Sequence, residues 1–374
     1  MNLLITGGHL TPALALIDYL QADQTQVKLF FVGREYSQKK LQQKAVERFE
    51  VERRGVEFIP FDSVTTDLRR LSDLVVKPVG FFFSLFQALK IIRKTNPDVL
   101  VSFGGYLAVP LAIAAKLKGV KIVTHEQTRV AGQATRLIAR LADRVAVSFS
   151  ETKAFLPNHK TVVTGNPIRP ELFSKDPECP VWFNSDSNLP LLLVMGGNQG
   201  ALAINQIVKQ LLPQLLEKYQ LIHVCGRPNR DYDFPALLSQ VASRVSPQKQ
   251  DRYFIKEWIS GHELAWIYQQ PLRAVSRAGA NSILELAMFQ VPTVFIPLPK
   301  ANYQEQEQNA AWLAQKQAAI VLEQDQLTPG SLIRTLETLE KNYYQLKDNL
   351  SQLRLPVNAA AKLYQLIEDL SVEK

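Results

Sequence analysis

The chain has 374 residues, of which 46% are hydrophobic and 21% are charged. This length exceeds one ordinary hydrophobic core and fits two domains, and the composition excludes a disordered or fibrous protein. The formal net charge of +8 predicts an anionic partner. The sequence contains no nucleic-acid-binding motif, so a phosphorylated ligand or an anionic lipid is expected rather than nucleic acid.

The cysteines and the hydropathy pattern further restrict the class of protein to be expected. Cys179 and Cys225 lie in separate halves of the chain, so neither a disulfide scaffold nor a cysteine-based metal site is expected. The sequence enters an apolar strand directly, without a basic leader, and no secretory signal is evident. The apolar run Val79 to Phe86 is far shorter than the roughly 20 residues of a membrane-spanning helix. We expect a cytosolic protein or one that lies on a membrane face.

Short apolar runs alternate with amphipathic stretches of helical length through the first half. The predicted strands are Leu3–Thr6, Lys28–Gly33, Val56–Phe61, Asp98–Phe103, Lys121–His125, Arg144–Ser148 and Thr161–Thr164. The predicted helices include Pro12–Leu20, Phe82–Arg93, Pro110–Leu117 and Gln133–Ala142. Continuous apolar strands separated by helices are typical of a parallel sheet that is buried on both faces.

A polar segment with several prolines, Ser174–Leu189, interrupts this alternation and is interpreted as a linker. Further strands are then predicted at Leu191–Met195, Leu221–Cys225, Arg252–Lys256, Ala274–Ser276, Thr293–Pro297 and Ala319–Glu323. We therefore expect an α/β protein with two doubly wound, Rossmann-like domains and a helical C-terminal tail. The expected division is a first domain over residues 1–170, a linker over 171–190, a second domain over 191–340, and helices over 341–374 that return toward the first domain.

A glycine pair follows the first strand of each half. Gly7-Gly8 precedes His9, and Gly196-Gly197 precedes Asn198. Glycines at such a turn let the backbone approach a ligand closely and direct the next helix N-terminus toward it. Ligands bind beyond the carboxyl ends of parallel strands. We expect the two domains to face each other across a cleft that holds a donor and an acceptor.

Two histidines lie at predicted strand ends in the first half. His9 could act as a general base, because the reference pKa of histidine is about 6.5, or it could contact phosphate. His125 precedes Glu126, and adjacent residues on a strand point to opposite faces. His125 is therefore either a residue of the cleft or a structural hydrogen-bonding group.

The segment from Arg277 to Glu285 follows a strand and opens a helix in the second half. The free N–H groups of a helix N-terminus suit a pyrophosphate. Glu285 could accept hydrogen bonds from ribose hydroxyls, or it could only complement the helix dipole. No HExxH motif or other ligand set is visible, so we assign no metal and expect no cofactor.

A Phe-rich and basic stretch in the first half is interpreted as an interfacial membrane anchor. Its members are Phe81, Phe82, Leu85, Phe86 and Lys90. Apolar insertion and basic contacts with anionic headgroups act together in such anchors. The alternative is that these side chains pack on the sheet as part of a buried helix.

Taken in order, these motifs resemble the MurG family, the bacterial UDP-N-acetylglucosamine transferases that complete lipid II. The matching stretches cover essentially the whole chain: Thr6–His9 with Pro12–Ala15, Phe103–Tyr106, His125–Gln127 with Ala131-Gly132, Gly165–Arg169, Gly196-Gly197 with Gln199–Ala201 and Asn205, Arg277–Ala280, Glu285, and Gln306 with Asn309-Ala310.

The resemblance implies a GT-B fold and metal-independent, inverting transfer of N-acetylglucosamine from UDP-GlcNAc to undecaprenyl-diphosphoryl-muramoyl-pentapeptide. It implies a peripheral enzyme on the cytoplasmic face of the cell membrane, with acceptor and membrane contacts in the first domain and UDP in the second. His9 resembles the catalytic base, the backbone of Ile259 the uracil contact, and Glu285 the ribose contact. The implied donor-binding residues are Thr6, Gly7, Gly8, Thr128, Arg169, Asn198, Ile259, Ala280, Asn281, Ser282, Ile283, Leu284, Glu285 and Gln306. The implied acceptor-side residues are Gly104, Gly105, Tyr106, His125 and Glu126.

The sequence departs from the family pattern in its first glycine turn, which is shorter after Thr6. Thr128 and Asn198 stand where the family commonly has Asn and Ser, and Gln304 is an alternative to Gln306. The short turn leaves open a related UDP-sugar transferase with another lipid acceptor. The motifs are also compatible with a UDP-GlcNAc epimerase-like enzyme and with a catalytically silent, membrane-docked binding protein.

Overall fold

The computed structural model describes the chain except residues 24–25, 39–42, 45, 62–77, 185–186, 198–199, 229–230, 300–303 and 373–374. The described residues divide into two compact units. The first contains residues 1–170 and 356–374, and the second contains residues 171–355. Each unit is built on its own parallel sheet.

The first unit has a seven-stranded parallel sheet with the strand order β5-β2-β1-β6-β7-β8-β9, and a short antiparallel pair, β3-β4. Its strands are β1 (Asn2–Gly7), β2 (Lys28–Gly33), β3 (Tyr36–Gln38), β4 (Gln43–Lys44), β5 (Glu57–Pro60), β6 (Val99–Phe103), β7 (Lys121–Glu126), β8 (Arg144–Val147) and β9 (Thr161–Val163).

The second unit has a six-stranded parallel sheet with the strand order β12-β11-β10-β13-β14-β15. Its strands are β10 (Leu191–Met195), β11 (Gln220–Val224), β12 (Tyr253–Lys256), β13 (Leu272–Ser276), β14 (Thr293–Phe295) and β15 (Ile320–Val321). In both sheets the strand order reverses direction beside the first strand of the unit, β1 or β10. Such a switch point is where open α/β sheets bind ligands.

The helices of the described residues follow the strands in alternation. They are α1 (Leu10–Ala22), α2 (Val46–Glu52), α3 (Pro78–Thr95), α4 (Ala108–Leu117), α5 (Gln133–Leu141), α6 (Leu202–Lys218), α7 (Phe234–Ala242), α8 (Pro247–Gln250), α9 (Gly261–Gln269), α10 (Ala280–Met288), α11 (Glu305–Gln315), α12 (Pro329–Lys341), α13 (Tyr343–Ser351) and α14 (Ala359–Val372). Short 3₁₀ turns lie at Ser150–Phe155, Asn158–Lys160, Pro170–Phe173 and Gln324–Gln326.

The continuous apolar strands are explained by burial on both faces of the sheet. Leu4 of β1 packs in the cluster that includes residues of α3, α4 and α5. Leu3 and Ile5, which point the opposite way, pack with residues of α1 and α14. The C-terminal helix α14 therefore belongs to the first unit, whereas α13 belongs to the second.

The strands predicted from the sequence are confirmed, with small differences at their ends. β2 and β10 have the predicted bounds. Helix α1 begins earlier than predicted, and Pro12 is its third residue. A proline is tolerated there, because backbone N–H groups in the first turn of a helix lack an intrahelical partner in any case. Helix α3 begins at Pro78 for the same reason.

Candidate active site

The turn between β1 and α1 contacts the turn after β6 backbone to backbone. The N–H of Gly8 donates to the carbonyl of Gly104 at 3.0 Å. A Cβ on Gly105, whose φ is +81°, would lie 2.9 Å from the Cα of Gly8. A Cβ on Gly7 would lie 2.6 Å from the Cβ of Phe103. Only glycine permits these distances. The close contacts bring the predicted residues of the two turns together.

His9 is the N-terminal flanking residue of α1 and is partly buried. Its Nδ1 lies 3.2 Å from the carbonyl oxygen of Phe103. Because a carbonyl can only accept a hydrogen bond, Nδ1 carries the proton in this arrangement and Nε2 keeps its lone pair. The geometry therefore leaves His9 in the tautomer that a general base needs.

His125 is fully buried at the end of β7. Its Nε2 donates to the carbonyl of Gly165 at 2.9 Å, and its Nδ1 accepts from Nε2 of Gln127 at 3.2 Å. Burial lowers the pKa of His125 to about 4, although the hydrogen bond to Gly165 and the charge of Glu126 act in the other direction. A neutral imidazole with both nitrogens engaged favours the structural alternative for this residue.

Glu126 and Thr128 form a buried cap between β7 and α5. One carboxylate oxygen of Glu126 accepts from the N–H of Gly132 at 3.1 Å, and the other accepts from the N–H of Thr128 at 3.2 Å. The hydroxyl of Thr128 lies 2.8 Å from that second oxygen. A carboxylate at a helix N-terminus is stabilised by the helix dipole. Both side chains thus fix the loop that enters α5. Thr6 is buried beside this edge, and Tyr106 and Arg169 are partly buried.

The second unit repeats the glycine turn at the end of β10. Gly197 and Gly200 have φ values of +82° and +73°, and a Cβ on Gly200 would lie 2.2 Å from the carbonyl oxygen of Cys225. Asn198, a predicted donor-binding residue, lies outside the described residues. The second glycine turn therefore rests directly on the backbone at the end of β11.

A buried hydrogen-bond relay supports that contact. Asn205 Nδ2 donates to the carbonyl of Cys225 at 2.8 Å, and Asn205 Oδ1 accepts from Nε2 of His223 at 3.0 Å. The hydroxyl of Tyr253 donates to Nδ1 of His223 at 2.9 Å. Burial lowers the pKa of His223 to about 3, so the ring is neutral. Sequence reasoning missed His223, because its role depends on a tyrosine on another strand.

The loop after β13 is held by two polar side chains. Arg277 is buried and donates to the carbonyls of Ile296 and Pro297 at 2.9 and 3.1 Å, and to Oε1 of Gln324 at 2.5 Å. Burial lowers the pKa of Arg277, but a guanidinium stays charged. Asn309 Nδ2 donates to the carbonyl of Ala278 at 3.1 Å. A buried cation thus lies directly before α10.

Helix α10 contains the largest group of predicted donor residues. It begins after Gly279, without a side-chain hydrogen bond that caps its first N–H groups. Ala280, Ile283 and Leu284 are buried, whereas Asn281 and Ser282 are partly exposed. The first turn can therefore present backbone N–H groups to an anion.

The structure also shows the surroundings of three further predicted donor residues, Glu285, Gln306 and Ile259. Glu285 is buried, and its Oε2 lies 3.4 Å from the hydroxyl of Tyr268, a residue that the sequence did not single out. Gln306 Oε1 accepts from the N–H of Leu298 at 3.0 Å, which ties this amide to the loop after β14. Ile259 is buried in the turn between β12 and α9.

The exposed face of α3 differs in part from the predicted membrane patch. Phe82, Phe83 and Phe86 are 67%, 57% and 57% exposed, and Nζ of Lys90 lies 4.6 Å from the ring centroid of Phe86. Leu85 packs against the core instead, and Phe81 is only partly exposed. The correction follows from the helical period, which turns Leu85 toward the buried Ala88 and brings Phe83 to the outside. No helix in the described ranges is long and apolar enough to cross a membrane.

The described residues contain no group of three or more His, Cys, Asp or Glu side chains that could hold a metal ion. The strand ends of the two units offer backbone N–H donors, the carboxylate of Glu285, the buried charge of Arg277 and the imidazole of His9. These groups suit a phosphorylated sugar donor and a hydroxyl nucleophile.

Comparison with known proteins identifies the family. Residues 6–147 match the glycosyltransferase family 28 N-terminal domain, and residues 191–369 match the family 28 C-terminal domain. A Bacillus cereus protein is 33% identical over 93% of this chain and 92% of its own length, and a Clostridium botulinum protein is 32% identical over 97% and 96%. Both are named UDP-N-acetylglucosamine–N-acetylmuramyl-(pentapeptide) pyrophosphoryl-undecaprenol N-acetylglucosamine transferase. The chain belongs to the MurG family.

A solved structure agrees with this assignment at the level of the fold. The crystal structure of Acinetobacter baumannii MurG superposes with a TM-score of 0.68 at 24% identity, and the alignment covers 98% of this chain and 99% of that one. The predicted GT-B fold and the resemblance stated from the motifs are both confirmed. The roles of individual site residues stay predictions.

The neutral state of His125 generates a prediction for the stability of the first unit. Its folded pKa of about 4 lies below the unfolded value of about 6.5, so the unfolded state binds more protons between these values. The stabilisation is complete above about pH 6.5 and is lost as the pH falls toward 4, at about 1.4 kcal/mol for each pKa unit. His125→Gln should flatten this pH dependence, measured by hydrogen exchange in β7.

The matched control is His159→Gln, which changes an exposed histidine of the same unit and should keep the parental pH dependence. An unchanged slope in a folded His125→Gln variant would show that another group titrates over this range.

Proposed function

We propose that this chain transfers N-acetylglucosamine from UDP-GlcNAc to undecaprenyl-diphosphoryl-muramoyl-pentapeptide, with inversion at the sugar carbon, in peptidoglycan synthesis. The observation that carries the proposal is that relatives named for this reaction match nearly the whole chain. The glycine turns at the two switch points support it, because the reaction requires binding of two diphosphate-containing substrates.

The second unit is proposed to hold the donor. The first N–H groups of α10 would meet the diphosphate, and Glu285 would accept hydrogen bonds from the ribose hydroxyls. The positive charge of Arg277 is buried, and the oxygens that accept its hydrogen bonds are uncharged. This charge would therefore stabilise the bound diphosphate electrostatically. This charge would also stabilise UDP as it leaves.

The first unit is proposed to hold the acceptor and the base. A hydroxyl oxygen of the acceptor sugar would form the new bond to C1 of N-acetylglucosamine as the bond from C1 to the phosphate oxygen breaks. The electron pair of the breaking bond leaves with UDP, and the hydroxyl proton passes to Nε2 of His9. The hydrogen bond from Nδ1 of His9 to Phe103 supports this assignment, because it holds the ring in the required tautomer.

Another lipid-linked acceptor is the second candidate, because the first glycine turn is short: Gly8 alone lies between the end of β1 at Gly7 and His9. An epimerase-like reaction is less well supported, since the exposed aromatic face of α3 suits a lipid substrate rather than a free nucleotide sugar. Incubation of the purified protein with UDP-GlcNAc and the muramoyl-pentapeptide lipid, alongside other UDP-sugars and polyprenyl diphosphate acceptors, tests the proposal. Product formation only with another acceptor, or conversion of UDP-GlcNAc without an acceptor, would contradict it.

His9→Gln should lower kcat in this assay by about 10²- to 10⁴-fold, because proton removal from the acceptor hydroxyl would lose its base. UDP affinity should be retained, since the donor is assigned to the other unit. His159→Gln is the matched control and should keep parental turnover. A folded His9→Gln variant with parental kcat would remove His9 from the base role.

Glu285→Ala should weaken UDP binding about ten- to a hundredfold, because hydrogen bonds to a charged acceptor contribute roughly 1.5–3 kcal/mol. Calorimetry with UDP and with 2′,3′-dideoxy-UDP provides the measurement, and the variant and the parent should bind the dideoxy ligand with similar affinity. Glu337→Ala, an exposed residue of α12 in the same unit, should bind UDP like the parent. Unchanged UDP affinity of Glu285→Ala would exclude a ribose contact.

The exposed side chains of α3 are the basis for proposing that the protein lies peripherally on the membrane. Phe82, Phe83 and Phe86 are exposed beside Lys90, and each phenyl ring fully buried in the acyl boundary gains about 1.5–3 kcal/mol. Each lysine or arginine near the surface adds roughly 1 kcal/mol with anionic lipid. Together these contributions would hold the first unit reversibly on the cytoplasmic face of the membrane.

Phe82→Ser, Phe83→Ser and Phe86→Ser, made singly, should each reduce binding to anionic vesicles while UDP affinity stays unchanged. Parental binding should also fall as salt rises, because screening weakens the basic contacts. Phe49→Ser changes an equally exposed phenylalanine on α2 and should bind vesicles like the parent. The membrane assignment fails if all three folded α3 variants behave like Phe49→Ser.

A further inference from the structure

Two aromatic residues that precede β10 pack against the edge of the second sheet. β12 is an edge strand of that sheet. The ring of Phe183 lies 4.7 Å from that of Phe254 in β12 and 4.9 Å from that of Trp266 in α9. The ring of Trp182 lies 5.8 Å from that of Phe254. The sequence alone indicates this segment only as a linker. In the structure, these contacts attach it to the second unit.

Trp182 is connected through one carboxylate to the start of α9. Its indole Nε1 donates to Oε1 of Glu263 at 2.5 Å. The other oxygen of Glu263 accepts from the N–H and the hydroxyl of Ser260 at 2.7 and 2.8 Å, which is half of a capping box. Burial raises the pKa of Glu263, but the hydrogen bonds from Trp182 and Ser260 outweigh it and lower that pKa overall.

Lys256 also contacts the indole of Trp182. It is the last residue of β12, and its Nζ lies 4.3 Å from the ring centroid of Trp182, a cation–π contact. Residues 257–259 thus lie between Lys256, which contacts the indole directly, and Ser260, which reaches it through Glu263. We call Lys256, Trp182, Glu263 and Ser260 the indole clamp.

The clamped turn lies at the carboxyl end of β12, the edge at which parallel sheets bind ligands. The N–H of Cys225 donates to the carbonyl of Lys256 at 2.9 Å. The carbonyl of Cys225 in turn lies against Gly200. The clamped turn is therefore linked by backbone contacts to the glycine turn that follows β10.

We infer that Trp182 is a positioning residue for the donor nucleobase: the indole clamp fixes the backbone of residues 257–259 so that its polar groups match the edge of uracil. The inference rests on the proposed function, because it requires a uridine diphosphate donor. Uracil presents an N3–H donor beside a carbonyl acceptor, whereas cytosine presents an N3 acceptor beside an amino donor. A fixed backbone that pairs with uracil leaves unpaired groups against cytosine, and a loosened turn can adapt to either base.

Trp182→Phe keeps an aromatic ring beside Phe254 and Lys256 but removes the indole donor to Glu263. The Kd for UDP should rise about two- to tenfold, as for the loss of one hydrogen bond. The preference for UDP over CDP should fall, and kcat at saturating donor should stay at the parental value. Calorimetry with UDP and CDP and steady-state kinetics provide these three readouts. Lys256→Met, which removes the cation above the ring, should shift the preference in the same direction.

Thr328→Ala is the matched control, because it removes the side-chain N-cap of α12 in the same unit and tests whether any loss of helix capping has this effect. It should keep the parental preference. A parent that does not prefer UDP to CDP would overturn the proposed donor itself. A parent that prefers UDP, with folded Trp182→Phe keeping the same affinity and preference, would overturn the clamp. If Trp182→Phe does not fold, an unchanged preference in Lys256→Met overturns it.

Discussion

Direct contact between backbone atoms at the ends of parallel strands is the constraint on which both units depend. In the first unit a Cβ on Gly105 would lie only 2.9 Å from the Cα of Gly8, and in the second a Cβ on Gly200 would lie 2.2 Å from the carbonyl oxygen of Cys225. These contacts lie at the edge of each sheet where the strand ends and the next helix follows. The first N–H groups of a helix that begins after such a turn can bind phosphate, which is the group shared by a nucleotide sugar and a lipid diphosphate.

Three histidines of the two units differ in burial, and the difference agrees with the roles proposed for them. His125 and His223 are fully buried, both ring nitrogens of each have partners, and burial lowers their pKa values to about 4 and about 3. They stay neutral and hold strand ends together. His9 is only partly buried and uses Nδ1 for the carbonyl of Phe103, so Nε2 can take a proton. The roles proposed for these histidines, structural for His125 and His223 and general base for His9, therefore agree with their surroundings.

The sequence predicted the strands and the two glycine turns, because apolar periodicity and glycine pairs are local signals. It could not decide between the two roles of His125, since the carbonyl of Gly165 that engages it comes from a distant segment. It placed Leu85 on the membrane face and omitted Phe83, because the rotation of α3 on the sheet is set by packing. Trp182 gave no signal at all, since its partners lie on β12 and α9.

Both glycine turns follow the first strand of their unit, at the switch point of its sheet, but the charged groups at the strand ends of the two units differ, and the difference agrees with the chemistry proposed for each. A base must become positive as it takes a proton, and a nearby fixed cation would oppose that change. The strand ends of the first unit hold the carboxylate of Glu126. A leaving diphosphate must gain negative charge, and the buried guanidinium of Arg277 precedes the helix proposed to hold it. Under the proposed function, each unit would therefore hold a fixed charge opposite in sign to the charge that forms there during the transfer.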